Sequence, residues 1–247
     1  MTGIAHKISS NIFRFYTRSA ELCGYESGKK AGCAYAWNRK GSWPSFVLGD
    51  PGEAGIREVV LAIGTGALPP FWITENTGGE LVRKLDDAGV RVIREWSGMA
   101  LGAADFQPCV SNPKVHIRSN DPGTNRDWLH IVNTELLTGS QVGNDFLDAV
   151  ASSGEFRWMV AYMDEEPVGT GLSFSSGDTC GLYMIATKGT ARGAGVGTMV
   201  SSQLVADALE SGHSTIVLHA TAMGKNIYRK LGFREENRYA VMWHLGQ

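Results

Sequence analysis

The sequence predicts a mixed α/β protein in two parts, and three observations carry that expectation. Short apolar segments bounded by glycine turns alternate with stretches whose apolar residues recur every three or four positions, the signatures of strands and helices. The run from Cys180 to Phe233 gives strand, glycine-rich loop, helix, strand and short helix in unbroken order. Between Gly102 and Pro113 lies a segment with two prolines and neither periodicity, so residues 1–112 and 113–247 read as separate domains.

In the first half, Ser10 to Leu22 is expected to be helical, with Ile12, Phe13, Phe15, Tyr16 and Ala20 inward. Cys33 to Leu48 reads as a hairpin around Arg39–Trp43. Pro51 to Ile63 reads as a helix capped by Asp50, burying Ile56, Val59, Val60 and Ile63. Phe71–Thr74 is expected as a strand, residues 78–88 as a helix and Val90–Met99 as a strand. Trp37, Trp43, Trp72 and Trp96 are candidates for core or for a cover over an acceptor pocket.

In the second half, Lys114–Arg118 opens as a strand. Thr124 or Asn125 starts a helix through Leu137, whose inward stripe is Trp128, Ile131, Val132, Glu135 and Leu136. Asn144–Ser152 is a further helix, expected with its predecessor to border an acceptor pocket around Trp128 and Phe146. Phe156–Met163 and Pro167–Ser175 read as antiparallel strands, Gly181–Thr187 as a buried one. After the loop, Val196, Met199, Val200, Leu204, Ala208 and Leu209 mark one helix face ending at Ser211. Ser214–His219 is a β-branched strand, Ala222–Leu231 a short helix closed by Gly232, and Arg238–Leu245 the last strand.

The chemistry is concentrated in the loop. Glycines between a strand and a helix present N–H groups, unobstructed by Cβ atoms, at the positive end of the helix dipole. Arg192 adds a permanent positive charge suited to phosphate oxygens. No Lys stands in or just after Gly193–Thr198, which excludes a P-loop. Counting G-x-G-x-x-G from Gly193 ends on Thr198, with Val217, Leu218 and His219 where a dinucleotide site needs an acid, which excludes that fingerprint.

The remaining pattern, Arg-x-x-Gly-x-Gly at Arg192, Gly195 and Gly197, with Tyr228 shortly before Gly232-Phe233, resembles the GNAT superfamily of N-acyltransferases over about residues 114–245. The resemblance implies a mixed, mostly antiparallel sheet flanked by helices, and transfer of an acetyl group from acetyl-CoA to a primary amine by direct attack in a ternary complex. It implies that Arg192, Gly193, Ala194, Gly195, Val196, Gly197 and Thr198 hold the pyrophosphate. Ile185, Ala186 and Thr187 would line the pantetheine where their strand splays from Val217–His219, and Tyr228 would protonate the departing thiolate. Many relatives carry Asn where Thr221 stands, so a hydroxyl takes that place against the pantetheine. No Asp or Glu lies between Gly181 and Thr187, and no general base is assigned; Tyr183 and His219 are the nearest polar side chains. The first half reads either as a degenerate second copy of the fold, without a cofactor loop, or as a separate lid or dimerisation module. A non-catalytic acyl-CoA-binding module is the competing reading.

Composition narrows the partners. A length of 247 residues with 43% hydrophobic content supports a sizeable core, and a net charge of -2 without basic runs argues against nucleic acid and anionic membrane. The four cysteines have no metal or disulfide spacing, and no long apolar run is present, so a cytoplasmic protein without metal is expected. The acceptor is open between a small-molecule and a protein amine, and a homodimer is left open.

Overall fold

The structure, a computed structural model, describes residues 3–40, 42–75, 85, 89–110, 112–137 and 140–244. It divides into two units, Met1–Gly98 with Glu236–Gln247, and Met99–Glu235. The division differs from the one expected at residue 112: it falls at Gly98, and the last strand, expected in the C-terminal half, passes into the first unit. The cause is that two long strands, β5 (Val90–Gly102) and β11 (Arg234–His244), each run through a boundary.

The first unit begins with α1 (Ile4–Leu22), six residues longer at its start than expected, because Ile8 extends the buried stripe of Ile12, Phe15, Tyr16 and Ala20 by one turn. Phe15 is buried and Phe13 only partly so. Strands β1 (Glu26–Lys30), β2 (Cys33–Trp37) and β3 (Ser45–Leu48) pair antiparallel in order. β1, Glu-Ser-Gly-Lys-Lys, has no apolar pattern and was not foreseen; its pairing with β2 makes it a strand. Helix α2 (Gly52–Gly64) crosses to β4 (Phe71–Thr74), which lies parallel to β3 and antiparallel to β11. Ile56, Val59 and Ile63 of α2 pack with Val47, Trp72, Ala240 and Met242; Val60 stays at the margin of this core. On the alternate face Phe46 meets Tyr16 at 4.6 Å between ring centroids, and Tyr16 meets Trp43 at 5.8 Å. Trp43 and Trp72 are therefore core. The helix expected at residues 78–88 lies, apart from Leu85, outside the described residues.

In the second unit, β6 (Val115–Ser119), β7 (Phe156–Met163), β8 (Glu166–Ser176) and β9 (Thr179–Thr187) pair antiparallel in order. β10 (Thr215–Ala220) pairs parallel to β9. Strand alternation sorts the core into two layers. Phe156 and Phe174 stack toward Phe146 and Trp128, which lie on α4 (Phe146–Ala151) and α3 (Asn125–Glu135). Met159, Ala161, Cys180 and Leu182 face the other way, onto Val196, Val200 and Leu204 of α5 (Val196–Glu210). α5 lies very close to the sheet because β8 is glycine where they meet. A Cβ on Gly169 would stand 2.5 Å from Val196 Cγ1, and one on Gly171 2.5 Å from Val200 Cγ1. A short helix, α6 (Lys225–Lys230), follows β10; it starts later than expected because Thr221–Gly224 form a turn.

The two units repeat one order of elements. Three antiparallel strands lead through a helix to a strand parallel to the third: β1, β2, β3, α2, β4 in the first, and β7, β8, β9, α5, β10 in the second.

Candidate functional site

Three departures from regular structure build the site at the C-terminal end of β9. The first is a bulge. Thr170 faces Ala186 and Leu172 faces Tyr183, so β9 spends one residue more than β8 between those points. Met184 takes up the extra length at φ 50°, and its carbonyl accepts from Thr170 Oγ1 at 3.0 Å.

The second is the end of the parallel ladder. Pairing of β9 with β10 runs from Thr179/Thr215 to Leu182/Leu218 and stops there, while β9 continues to Thr187. The strands part at His219, the last residue of the stretch Val217–His219 from which β9 was expected to splay. Parallel neighbours that part in this way leave a notch between backbone edges, and Ile185, Ala186 and Thr187 line its β9 side.

The third is the loop. After a 3-10 turn at Gly189–Ala191, Arg192 is extended, Gly193 has φ 84°, and Gly195, at φ 81°, caps α5 without any side-chain acceptor. Left-handed backbone at both glycines turns the chain onto the helix axis, a conformation that costs L-residues. A Cβ on Gly193 or Gly195 would meet nothing within 4 Å, so the space beside them is open. The first-turn N–H groups of α5 have no intrahelical acceptor and carry the positive end of the dipole. Val196 is buried at 1% exposure and offers only its backbone; Gly197 fits against Thr187 Oγ1 and Ile227 Cδ1, where a Cβ would come to 3.3 and 3.6 Å. Thr198 completes the turn.

Two side chains from distant segments fasten this loop. Asn112 Nδ2 donates to the Ala194 carbonyl at 3.1 Å. Glu135, the last residue of α3, accepts from Gly189 N–H at 3.3 Å and from Arg192 Nη2 at 3.0 Å. Arg192 Nε also reaches the Thr187 carbonyl at 3.5 Å. Arg192, which has no carboxylate near it in the sequence, is thus paired in the fold. Asn112 was not singled out from the sequence, and Glu135 was read only as part of the inward stripe of α3. Glu135 could have been found there, as the one carboxylate on the buried stripe of α3.

Tyr228 sits at the seam of α5 and α6, its ring edge-on to Phe233 at 5.9 Å and its phenol near Ser201 of α5, whose hydroxyl donates to the Gly197 carbonyl at 2.7 Å. Desolvation pushes its phenol up to about 12, with Ser201 pulling the other way, so the hydroxyl keeps its proton at neutral pH. His219, at the parting of the strands, is pushed down to about 3 by burial and is a neutral imidazole at neutral pH. Tyr183 is a strand aromatic packed at 9% exposure. Thr221 Oγ1 accepts the Gly224 N–H at 3.3 Å, so this hydroxyl braces the turn into α6 and keeps its own proton to donate. A polar groove of about 740 Å³ runs along α3 and α4, lined among others by Asn125, Arg126, His130, Asn133 and Asp148. Trp128 and Phe146 lie buried beneath it rather than at its rim.

Among the described residues no His, Cys, Asp and Glu group could hold a metal, and no helix is long and apolar enough to cross a membrane. Of the four thiols, Cys33 and Cys180 are buried and Cys23 and Cys109 partly so.

A mixed sheet whose bulged strand opens onto the bare N-terminus of a helix, beside a strand parting from it, is the fold of the acyl-CoA N-acyltransferases, and the C-terminal half of this chain is GNAT. Residues 139–228 match the family model described as Acetyltransferase (GNAT) domain. Among solved structures, a GCN5-related N-acetyltransferase from Kribbella flavida is similar over 100% of this chain and 98% of its own, at 15% identity and a TM-score of 0.74. A GCN5-related N-acetyltransferase-like protein from Streptococcus suis is similar over 98% and 99%, at 14% identity and a TM-score of 0.56. One from Sphaerobacter thermophilus is similar over 77% and 64%, at 18% identity and a TM-score of 0.57. No curated protein matches the sequence.

Proposed function

We propose that this protein transfers an acetyl group from acetyl-CoA to a primary amine of a small molecule or protein, by direct attack in a ternary complex. The observation that carries the reading is the open N-terminus of α5, reached through Gly193 and Gly195 directly from the notch beside β9. A diphosphate fits donors arranged in this way, with Arg192 at its flank. The pantetheine then lies along Ile185, Ala186 and Thr187, with Thr221 as a hydroxyl donor. The amine nitrogen forms a bond to the thioester carbon and the carbon–sulfur bond breaks; the departing sulfur takes the Tyr228 proton, the phenolate at once regains one from water, and the amine releases one of its own. His219 is too weak a base at a value of about 3 to take that proton, which passes to water.

The N-terminal unit is, in this reading, a degenerate copy of the same fold. Its strand-to-helix turn is Gly49–Pro51, between β3 and α2. There Asp50 Oδ1 accepts the Gly52 N–H at 2.8 Å and Pro51 has no N–H to give. Asp50 stands one residue before the Pro51 N-cap, not at the cap position expected of it, and its carboxylate beside the first turn of α2 repels a phosphate.

Thiol release from acetyl-CoA with a panel of primary amines tests the proposal, alongside calorimetry with CoA, NAD and ATP. CoA binding with amine-dependent turnover is expected. CoA binding with no turnover by any amine favours the non-catalytic acyl-CoA-binding reading, and binding of NAD or ATP but not CoA overturns the site.

A further inference from the structure

We propose that Glu135 is a positioning residue for the diphosphate: it fixes Arg192 so that the free side of the guanidinium faces the N–H cradle. The inference rests on the acyl-CoA reading above and deepens it. A carboxylate at the last position of α3 stands at the negative end of a helix dipole, where it is disfavoured, and the last turn of α3 contains no basic residue to offset it. It is nevertheless only 23% exposed and gives both oxygens to the loop, one to Gly189 N–H and one to Arg192 Nη2. The compensation therefore comes from the loop.

The geometry decides what the contact does. Glu135 takes one edge of the Arg192 fork, together with the Thr187 carbonyl on Nε, and leaves Nη1 unclaimed by either contact, on a side chain that is 56% exposed. The N–H groups of the α5 first turn are not among the atoms Glu135 touches. Glu135 is thus no occupant of the anion site but a brace beside it, and it ties α3 to the loop. A long flexible side chain held in its working rotamer before the ligand arrives loses less freedom on binding.

The test is calorimetric titration of CoA into four proteins at one salt concentration: Glu135→Ala, Glu135→Gln, Arg192→Ala and the double Glu135→Ala/Arg192→Ala, each against wild type. Glu135→Ala is expected to weaken binding about fivefold. Glu135→Gln, which keeps one acceptor oxygen and turns the other into an NH2 donor, serves Arg192 or Gly189 but not both and is expected to bind between wild type and Glu135→Ala. In the Arg192→Ala background, Glu135→Ala is expected to change nothing further. Glu135→Ala binding as tightly as wild type, or more tightly, overturns the inference, as does a loss that persists without Arg192. A lowered melting temperature with unchanged affinity also overturns it, by reducing Glu135 to a structural role. Wild-type protein that is folded and binds no CoA would instead defeat the acyl-CoA reading itself.

Discussion

Gly169→Ala tests whether the closeness of α5 to the sheet sets the site, because Gly169 is on β8, remote in sequence from the loop. The added Cβ would stand 2.5 Å from Val196 Cγ1, where ordinary contact begins at 3.4 Å, a deficit of 0.9 Å. Retreat in the other direction is closed by the Ala186 carbonyl at 3.2 Å. Val196 is buried, β-branched and stiff at χ1, so the strain passes to the first turn of α5, which must lift by about 1 Å. Overpacking of this kind costs about 1–3 kcal/mol. For a chain of this size a loss of ~2 kcal/mol lowers the melting temperature by about 4–8 °C. Moving the first-turn N–H groups by that distance takes hydrogen bonds out of range, and CoA affinity is expected to fall on the order of tenfold. Differential scanning calorimetry and CoA titration read the two effects. Gly193→Ala is the control for stability alone: nothing stands within 4 Å of its Cβ, and at φ 84° it pays only backbone strain, about 1–2 kcal/mol, while its methyl enters the proposed diphosphate space. Gly169→Ala protein that melts and binds like wild type would refute the argument.

The remaining predictions concern protons and close approach. Tyr228→Phe is expected to lower kcat on the order of 10²-fold with CoA affinity nearly unchanged, read by thiol release, and wild-type activity should show no alkaline loss from this phenol below about pH 10, because its value lies near 12. His219 has a folded value of about 3 against 6.5, so the unfolded chain binds its proton first; the stability it contributes is full above pH 6.5 and is lost as pH falls toward 3. Urea unfolding between pH 7 and 5 should therefore show a shallower pH dependence in His219→Gln than in wild type, and equal slopes would refute this. Gly98→Ala places a Cβ on Asn237 Oδ1 and 2.7 Å from Tyr239 Cε2, and is expected to cost about 3 kcal/mol in the same unfolding measurement.

Much of the second unit was legible in the sequence because its signals are local. The period of α5, the glycines of the loop and Gly232 after α6 each act within a few residues. The same is true of the GNAT pattern at Arg192, Gly195 and Gly197. β1 was missed because pairing, not composition, makes it a strand. The two compact units divide elsewhere than at the proline loop, because that loop marks an irregular segment, whereas the units part within two long strands.

What the sequence determined alone was the chemistry of the loop: glycines that permit left-handed backbone, a helix start with bare N–H groups, and a cation beside them. Only the tertiary structure decided how these are aimed. The bulge at Met184, the parting of β9 and β10 at His219, the pressing of Val196 onto Gly169, and the grip of Glu135 and Asn112 all join residues far apart in the chain. The physical reason is one of range. Backbone conformation and dipoles are set by neighbours in sequence, while register, packing distance and ion pairing are set by whatever the fold brings alongside.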